Sequence, residues 1–275
     1  MREITSLMQR AKGLLHNKLF RWILPWLVIL GFFVFWELFV IVFQVEQFVL
    51  PAPTAIFAAA WNWHWLILQN AGQTFMTTAI GFFVAIAFGL AAGVAVGSSV
   101  VVYEGFYPAL IGFNTIPKVA VVPILVIWFG IGTVPAIITA FLLSFFPILV
   151  NVATGIATME PELQDVLRAL GATRWQVIAK VGLPRSMPYF FASLKVAITV
   201  AFVGSIVAET VAGNKGIGYF MLVASSQLDV PLAFAGLLVT SAMGIGMYAI
   251  ASIIEQKTTG WATRGISTRS FAQAG

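Results

Sequence analysis

The chain has 275 residues, 60% of them hydrophobic and 9% charged, with a mean hydropathy of +0.97 and a formal net charge of +5. A soluble domain is roughly 45–50% apolar and about 25% charged, so this composition excludes one and describes a polytopic membrane protein. Cysteine is absent, which removes disulfide frameworks, thiolate metal sites and cysteine nucleophiles together, and the basic residues flank apolar runs as membrane topology requires, so they do not read as a polyanion site.

In chain order, the basic stretch "MREITSLMQRAKGLLHNKLFR" leads into an apolar run from Trp22 to Val42. That run is long enough to cross a hydrocarbon core of about 30 Å, and it continues into "FQVEQF", where a signal peptide would show a small-residue cleavage site. It reads as a retained span. Pro51 and Pro53 are expected to stop the first helix, and Trp61, Trp63 and Trp65 suit an interfacial helix among lipid headgroups. Further runs cover about Thr74–Val102, Phe106–Phe129, Val134–Ala153, Phe190–Val211 and Pro231–Ile254, which makes six predicted spans.

Charge orients the spans. Arg2, Arg10, Lys12, Lys18, Arg21, Arg168, Arg174, Lys180, Arg185, Lys257, Arg264 and Arg269 fall on one side, and Lys215 alone on the other, while Lys118 and Lys195 lie within spans. The positive-inside rule therefore places both termini in the cytoplasm. The expected organisation is a cytoplasmic tail 1–21, a first span 22–42, an external segment 43–73, a membrane core 74–254 containing a cytoplasmic hairpin 158–187, and a cytoplasmic tail 255–275. No repeat or linker divides the chain, so one membrane domain is the simplest account.

The hairpin is the polar island "PELQDVLRALGATRWQVIAKVGLP". Pro161 fits the first turn of a helix, Glu162 and Asp165 suit its positive end, and Gly171 supplies a stop. Thr173 followed by Gln176 is a capping-box pattern, so a second short helix is predicted to about Val181, closed by Gly182 and Pro184. Leu163, Val166, Leu167 and Leu170 share one face of the first helix, and Trp175, Ile178 and Val181 form a stripe on the second. A folded, amphipathic loop on the basic side is built to dock against something. DNA recognition is excluded because the pair is tethered between spans and lacks a basic recognition helix.

The spacing from Gly171 across nine residues to Val181-Gly182-Leu183-Pro184, preceded by Asp165-Val166-Leu167, resembles the EAA loop of bacterial ABC-importer permeases. The family pattern is Glu-Ala-Ala, three residues, Gly, nine residues, then Ile-x-Leu-Pro; here Asp replaces Glu, Val and Leu replace the two Ala, and Val replaces Ile. "LPAPTAIFAA", "PILVIWFGIG", "FFPILVN", "PELQDVLRALGATRWQVI", "LPRSMPYFFASLKVAI" and "VAETVAGNKGIGY" are similar, in that order, to segments of the nitrate/sulfonate/taurine-type permeases, over roughly residues 48 to 260. The resemblance implies an all-α type I importer (MetI-like) fold and no catalytic residue on this chain. It also implies a homodimer, two ATP-binding subunits that carry ATP and Mg, and an extracytoplasmic solute-binding protein. Glu162, Asp165, Arg168, Ala169, Gly171, Ala172, Thr173, Leu183 and Pro184 would couple the chain to the ATPase. The solute stays open among sulfonates, nitrate, aromatic acids and vitamin precursors.

Other chemistry is sparse. No Gly-x4-Gly-Lys-Ser/Thr loop is present, and "GNKGIG" at Gly213–Gly218 lies in an external turn. His16 and His64 fall on opposite sides, which excludes a two-His metal site within one chain. No nucleic-acid partner is indicated. Among charges in spans, Glu37 reads as an interfacial or helix-packing carboxylate. Lys118 follows Pro117 in "NTIPKVAVVP" and either pairs or snorkels within the fold or lines a pathway. Glu209, before a Gly-rich turn, resembles a family glutamate and is read as part of an external gate region. A stand-alone channel or secondary carrier is the rival reading, although no matched inverted repeats or broken helices support it.

Overall fold

The computed structural model describes residues 18–271, so Arg2, Arg10, Lys12 and His16 lie outside the described residues. All regular structure among the described residues is helical. The chain forms two compact units, a division no linker marks: one from the chain up to Trp63 together with Ala224–Ala235, the other from His64–Val223 together with Gly236 onward.

In the first unit, α1 (Lys18–Val42) is an apolar rod, and α2 (Pro53–Asn62) follows after a turn. Pro51 and Pro53 do not stop α1, which already ends at Val42. Pro53 instead opens α2, where its missing N–H is not needed. The free N–H donors of that first turn are partly met from α1: Glu37 accepts from Thr54 N at 3.0 Å and from Thr54 Oγ1 at 2.7 Å. Glu37 thus packs one helix on another, as its sequence position suggested.

The second unit is built on three long helices: α3 (His64–Gly97), α6 (Thr133–Ala157) and α9 (Leu183–Ala212). α3 starts ten residues before the predicted span, and at about 1.5 Å per residue its 34 residues exceed the membrane core. Every fourth residue on one face is small: Gly81, Ala85, Gly89, Gly93 and Gly97. This stripe lets α6 approach at backbone distance, since a Cβ on Gly81 would lie 2.6 Å from Ala140 Cβ and one on Gly93 2.7 Å from Val152 Cβ. Ala85, Ile148, Val152, Ile156, Phe190 and Ala197 form the buried core where the three helices meet.

Between α3 and α6 run α4 (Val100–Thr115), a 3-10 turn (Lys118–Val121) and α5 (Val122–Phe129), bent by 70°. The bend has a local cause. Pro117 forces the preceding Ile116 into extended backbone, with φ −63° and ψ 127°, and α4 cannot continue. Counting this bent pair as one span, the six predicted crossings are all present by length and composition.

α7 (Pro161–Ala169) and α8 (Arg174–Val177) form the hairpin, and α10 (Ile217–Ser226) and α11 (Val230–Phe271) complete the chain. The second hairpin helix does not close at Gly182 and Pro184. It widens into a π turn at Ile178–Gly182 and continues as α9, giving one helix from Arg174 to Ala212. The wider turn takes up the ring and the missing N–H of Pro184, so this proline opens the next segment instead of ending the last.

Candidate functional site

Both turns of the hairpin are fixed by the residues that announce them. Gly171 takes φ +84°, a left-handed conformation that suits glycine. Its N–H donates to Arg168 O at 2.9 Å, and Ala172 N–H donates to Leu167 O at 3.0 Å, the paired bonds that close a helix C-terminus. Two residues on, Thr173 N donates to Gln176 Oε1 at 2.8 Å and Gln176 N to Thr173 Oγ1 at 3.4 Å, a complete capping box.

This rigid corner is tied to the helices beneath it. Arg174 donates from Nε and Nη2 to Ser98 O, at 3.2 and 2.6 Å, which secures the start of α8 to the chain just past α3. On the opposite flank Arg185 pairs with Glu160 at 2.9 Å. Sequence reasoning did not single out Arg174, Ser98, Glu160 or Arg185 for these ties, because their partners lie 25 and 76 residues apart and carry no local signal.

With its inner side pinned, the hairpin presents an outer one. Val166, Leu170 and Trp175 are 58%, 79% and 70% exposed, and Glu162, Asp165, Arg168, Ala169, Gly171 and Thr173 are exposed around them. Ala172 is half-buried. Leu183 and Pro184 belong to the first turn of α9, with Leu183 packed on the central core and Pro184 exposed. Seven of the nine expected coupling residues therefore share the hairpin, and two sit beyond the π turn. Ile178 and Leu163 turn inward, so the apolar stripes seen in the sequence are divided between the fold and the surface.

The two remaining candidates are not brought together. Lys118 stands at the α4–α5 bend, where Nζ donates to Asn114 O at 2.9 Å and to Asn114 Oδ1 at 3.0 Å, 4.9 Å from the Phe146 ring centroid. Glu209 is 2% exposed near the end of α9. Its carboxylate accepts from Thr74 Oγ1 at 2.6 Å, Thr77 Oγ1 at 3.1 Å and Gly218 N at 3.2 Å. The same loop is held to α3 by Gly216 N donating to Asn70 Oδ1 and Ile217 N donating to Thr74 Oγ1. Beside it a recess of about 350 Å³ is lined by Gln73, Thr133, Asn214 and Lys215 among apolar residues. No cluster of metal-ligating side chains occurs among the described residues.

Residues 85–260 match the family described as "Binding-protein-dependent transport system inner membrane component". The chain is 29% identical over 231 residues to the riboflavin transport system permease protein RibX of Chloroflexus aurantiacus, covering 83% of this chain and 86% of that one. It is also 29% identical to the formylaminopyrimidine transport permease protein ThiX of Halalkalibacterium halodurans, covering 86% and 95%. In fold it is similar to a chain of the MetNI methionine ABC transporter in an inward-facing conformation, with a TM-score of 0.63 at 18% identity, covering 72% of this chain and 98% of that one. Permeases of this family work with ATP-binding subunits and a substrate-binding protein, and hydrolysis lies on those separate subunits. A multi-pass helical bundle with a twice-capped, partly apolar hairpin thus belongs to the binding-protein-dependent inner membrane component family, as a permease subunit of an ABC importer.

Proposed function

We propose that two copies of this chain form the membrane path of an importer that carries a small solute into the cytoplasm by alternating access, with both termini cytoplasmic and the hairpin as the seat of the ATPase. The observation that carries this is the pairing of a rigid corner with an open apolar surface. Gly171 and the Thr173–Gln176 box fix the hairpin, while Val166, Leu170 and Trp175 lie uncovered around it. On closing with ATP, the two ATPases draw the paired hairpins together and turn the bundle from inward- to outward-facing; hydrolysis resets it. Lys118 lines the path, and Glu209 holds the loop of the outer gate.

The relatives are named for riboflavin, formylaminopyrimidine, sulfonate, nitrate and taurine transport, which supports a small polar solute delivered by the binding protein. Co-purifying the Leu170→Glu, Trp175→Glu double variant with its ATPase subunit tests the reading. Loss of the complex, with the variant still in the membrane, is the expected result. A complex that survives removes the hairpin as the seat of the ATPase, and transport by the purified chain without ATP overturns the ATP-driven cycle.

A further inference from the structure

Two lysines lie within the spans, and the fold treats them differently. Lys195 is half-buried on α9 and meets Glu255 of α11 at 2.6 Å, so its charge is matched. Lys118, also half-buried, meets no carboxylate among the described residues; its partners are the carbonyl and amide oxygens of Asn114 and the face of Phe146. These are dipoles and a ring quadrupole. They orient the ammonium and leave its unit charge standing.

The surroundings add the same sign. An ammonium has three N–H donors, of which Asn114 takes two, and turning Asn114 Oδ1 toward Nζ leaves the amide NH2 of that residue as a further donor. α5 begins four residues after Lys118, so the positive end of its dipole lies beside the break. No residue of α4 is buried, and Asn114, Thr115, Ile116, Pro117 and Val119 are all exposed around the lysine. Hydrocarbon is a poor neighbour for this face, because an ammonium with one unmet donor and an exposed amide are costly against it. Water, or something that carries negative charge through water, answers the arrangement.

We propose that the break at Asn114–Lys118 is an oxyanion station on the translocation path: Lys118 Nζ and the Asn114 amide NH2 keep free donors and the local charge is positive, so it takes a carboxylate, sulfonate or comparable oxyanion of the passing solute. Phe146 limits the station on one side and admits a flat group beside the anion. The inference rests on the reading of Lys118 as part of the path, and it goes further in naming the chemistry that the path selects.

This chain has no cysteine, so once the cysteines of the partner subunits are replaced or blocked a test is possible that needs no knowledge of the solute. Ile116, 48% exposed, is replaced by cysteine in the full complex in lipid nanodiscs, and its reaction rates with two methanethiosulfonates of similar size are compared. One bears a sulfonate, the other a trimethylammonium. The ratio of anionic to cationic rates is then measured with Lys118, with Lys118→Gln and with Lys118→Arg. Loss of the lysine alters thiol ionisation for both reagents alike, so the ratio reports attraction of charge.

The expected result is a ratio that falls on the order of tenfold in Lys118→Gln, the effect of one unit charge several ångströms away in a partly aqueous site, and that Lys118→Arg retains. A cysteine that reacts with neither reagent, in complexes that still co-purify, overturns the path reading and the station with it. One that reacts with both, at a ratio that Lys118→Gln leaves unchanged, overturns the station and spares the path.

Discussion

Thr74 and Glu209, 135 residues apart in sequence, share the shortest hydrogen bond of the loop clamp, 2.6 Å from hydroxyl to carboxylate. Around it, one buried acid collects three donors from α3 and the Gly213–Gly218 loop, and Thr74 itself receives the N–H of Ile217. A side chain in such a place holds a loop still. The recess that carries Lys215 then has a fixed wall.

Glu209→Ala leaves the Gly218 N–H without its acceptor in a buried site, while the hydroxyls of Thr74 and Thr77 keep Asn70 O and Thr74 O within reach. We expect a loss of about 1–2 kcal/mol and a lower thermal midpoint in detergent. Gly216→Ala should act in the same direction, because Gly216 has φ +105° and a Cβ there would meet the Glu209 carboxylate. Gly72→Ala, with nothing near the added Cβ, is the control and should be neutral or slightly stabilising. If all three variants unfold with the parent, the clamp contributes nothing to stability.

The Lys195–Glu255 pair offers a double-mutant cycle. Lys195→Met strands a half-buried carboxylate and should cost about 2 kcal/mol. Adding Glu255→Leu should recover most of that loss, since the apolar cleft beside the pair can accept two apolar side chains. Additive losses in chemical denaturation would mean that the two residues do not act as a pair.

Gly171→Leu places a branched side chain at φ +84°, at a cost of about 1–2 kcal/mol, and redirects α7 against α8, which is continuous with α9. The spans do not depend on that turn. Binding-protein-stimulated ATP hydrolysis should fall to the basal level with the permease still in the membrane, and Gly171→Asn should keep a measurable part of the stimulation, because asparagine tolerates this conformation. Normal stimulation in the leucine variant would remove the hairpin from coupling.

Asp165 is exposed at the middle of α7, beside the uncovered Val166. Asp165→Lys should weaken the complex with the ATPase by about 1 kcal/mol more than Asp165→Asn, roughly fivefold in affinity, because it reverses the charge offered to the partner surface. Equal affinities would show that charge at this position plays no part.

The hairpin was legible because its instructions are local: Pro161, Gly171, Thr173 and Gln176 each act on backbone within a few residues. The break before Lys118 was legible in the same way, from Pro117. Gly182 and Pro184 misled because their effect depends on the turn before them; a π turn absorbs the proline that would end an ordinary helix. The Thr74–Glu209 bond and the Arg174–Ser98 tie could not be read at all, since each joins helices whose mutual placement is decided by packing far from either residue. The stripe from Gly81 to Gly97 lay in plain view as a four-residue period within an apolar run, where hydropathy, which sees no difference between lipid and a neighbouring helix, passes over it.

The unbroken helix from Arg174 to Ala212 spans 39 residues, about 58 Å, with the hairpin cap at one end and Glu209 near the other. No loop separates them. In the proposed mechanism a stroke delivered at Thr173 would travel along one continuous helix to the Gly213 loop, and the joints on the way are the π turn at Ile178–Gly182 and Pro188. The stiffness of those two joints would then set how much of the motor's throw reaches the far end and how much is spent in bending.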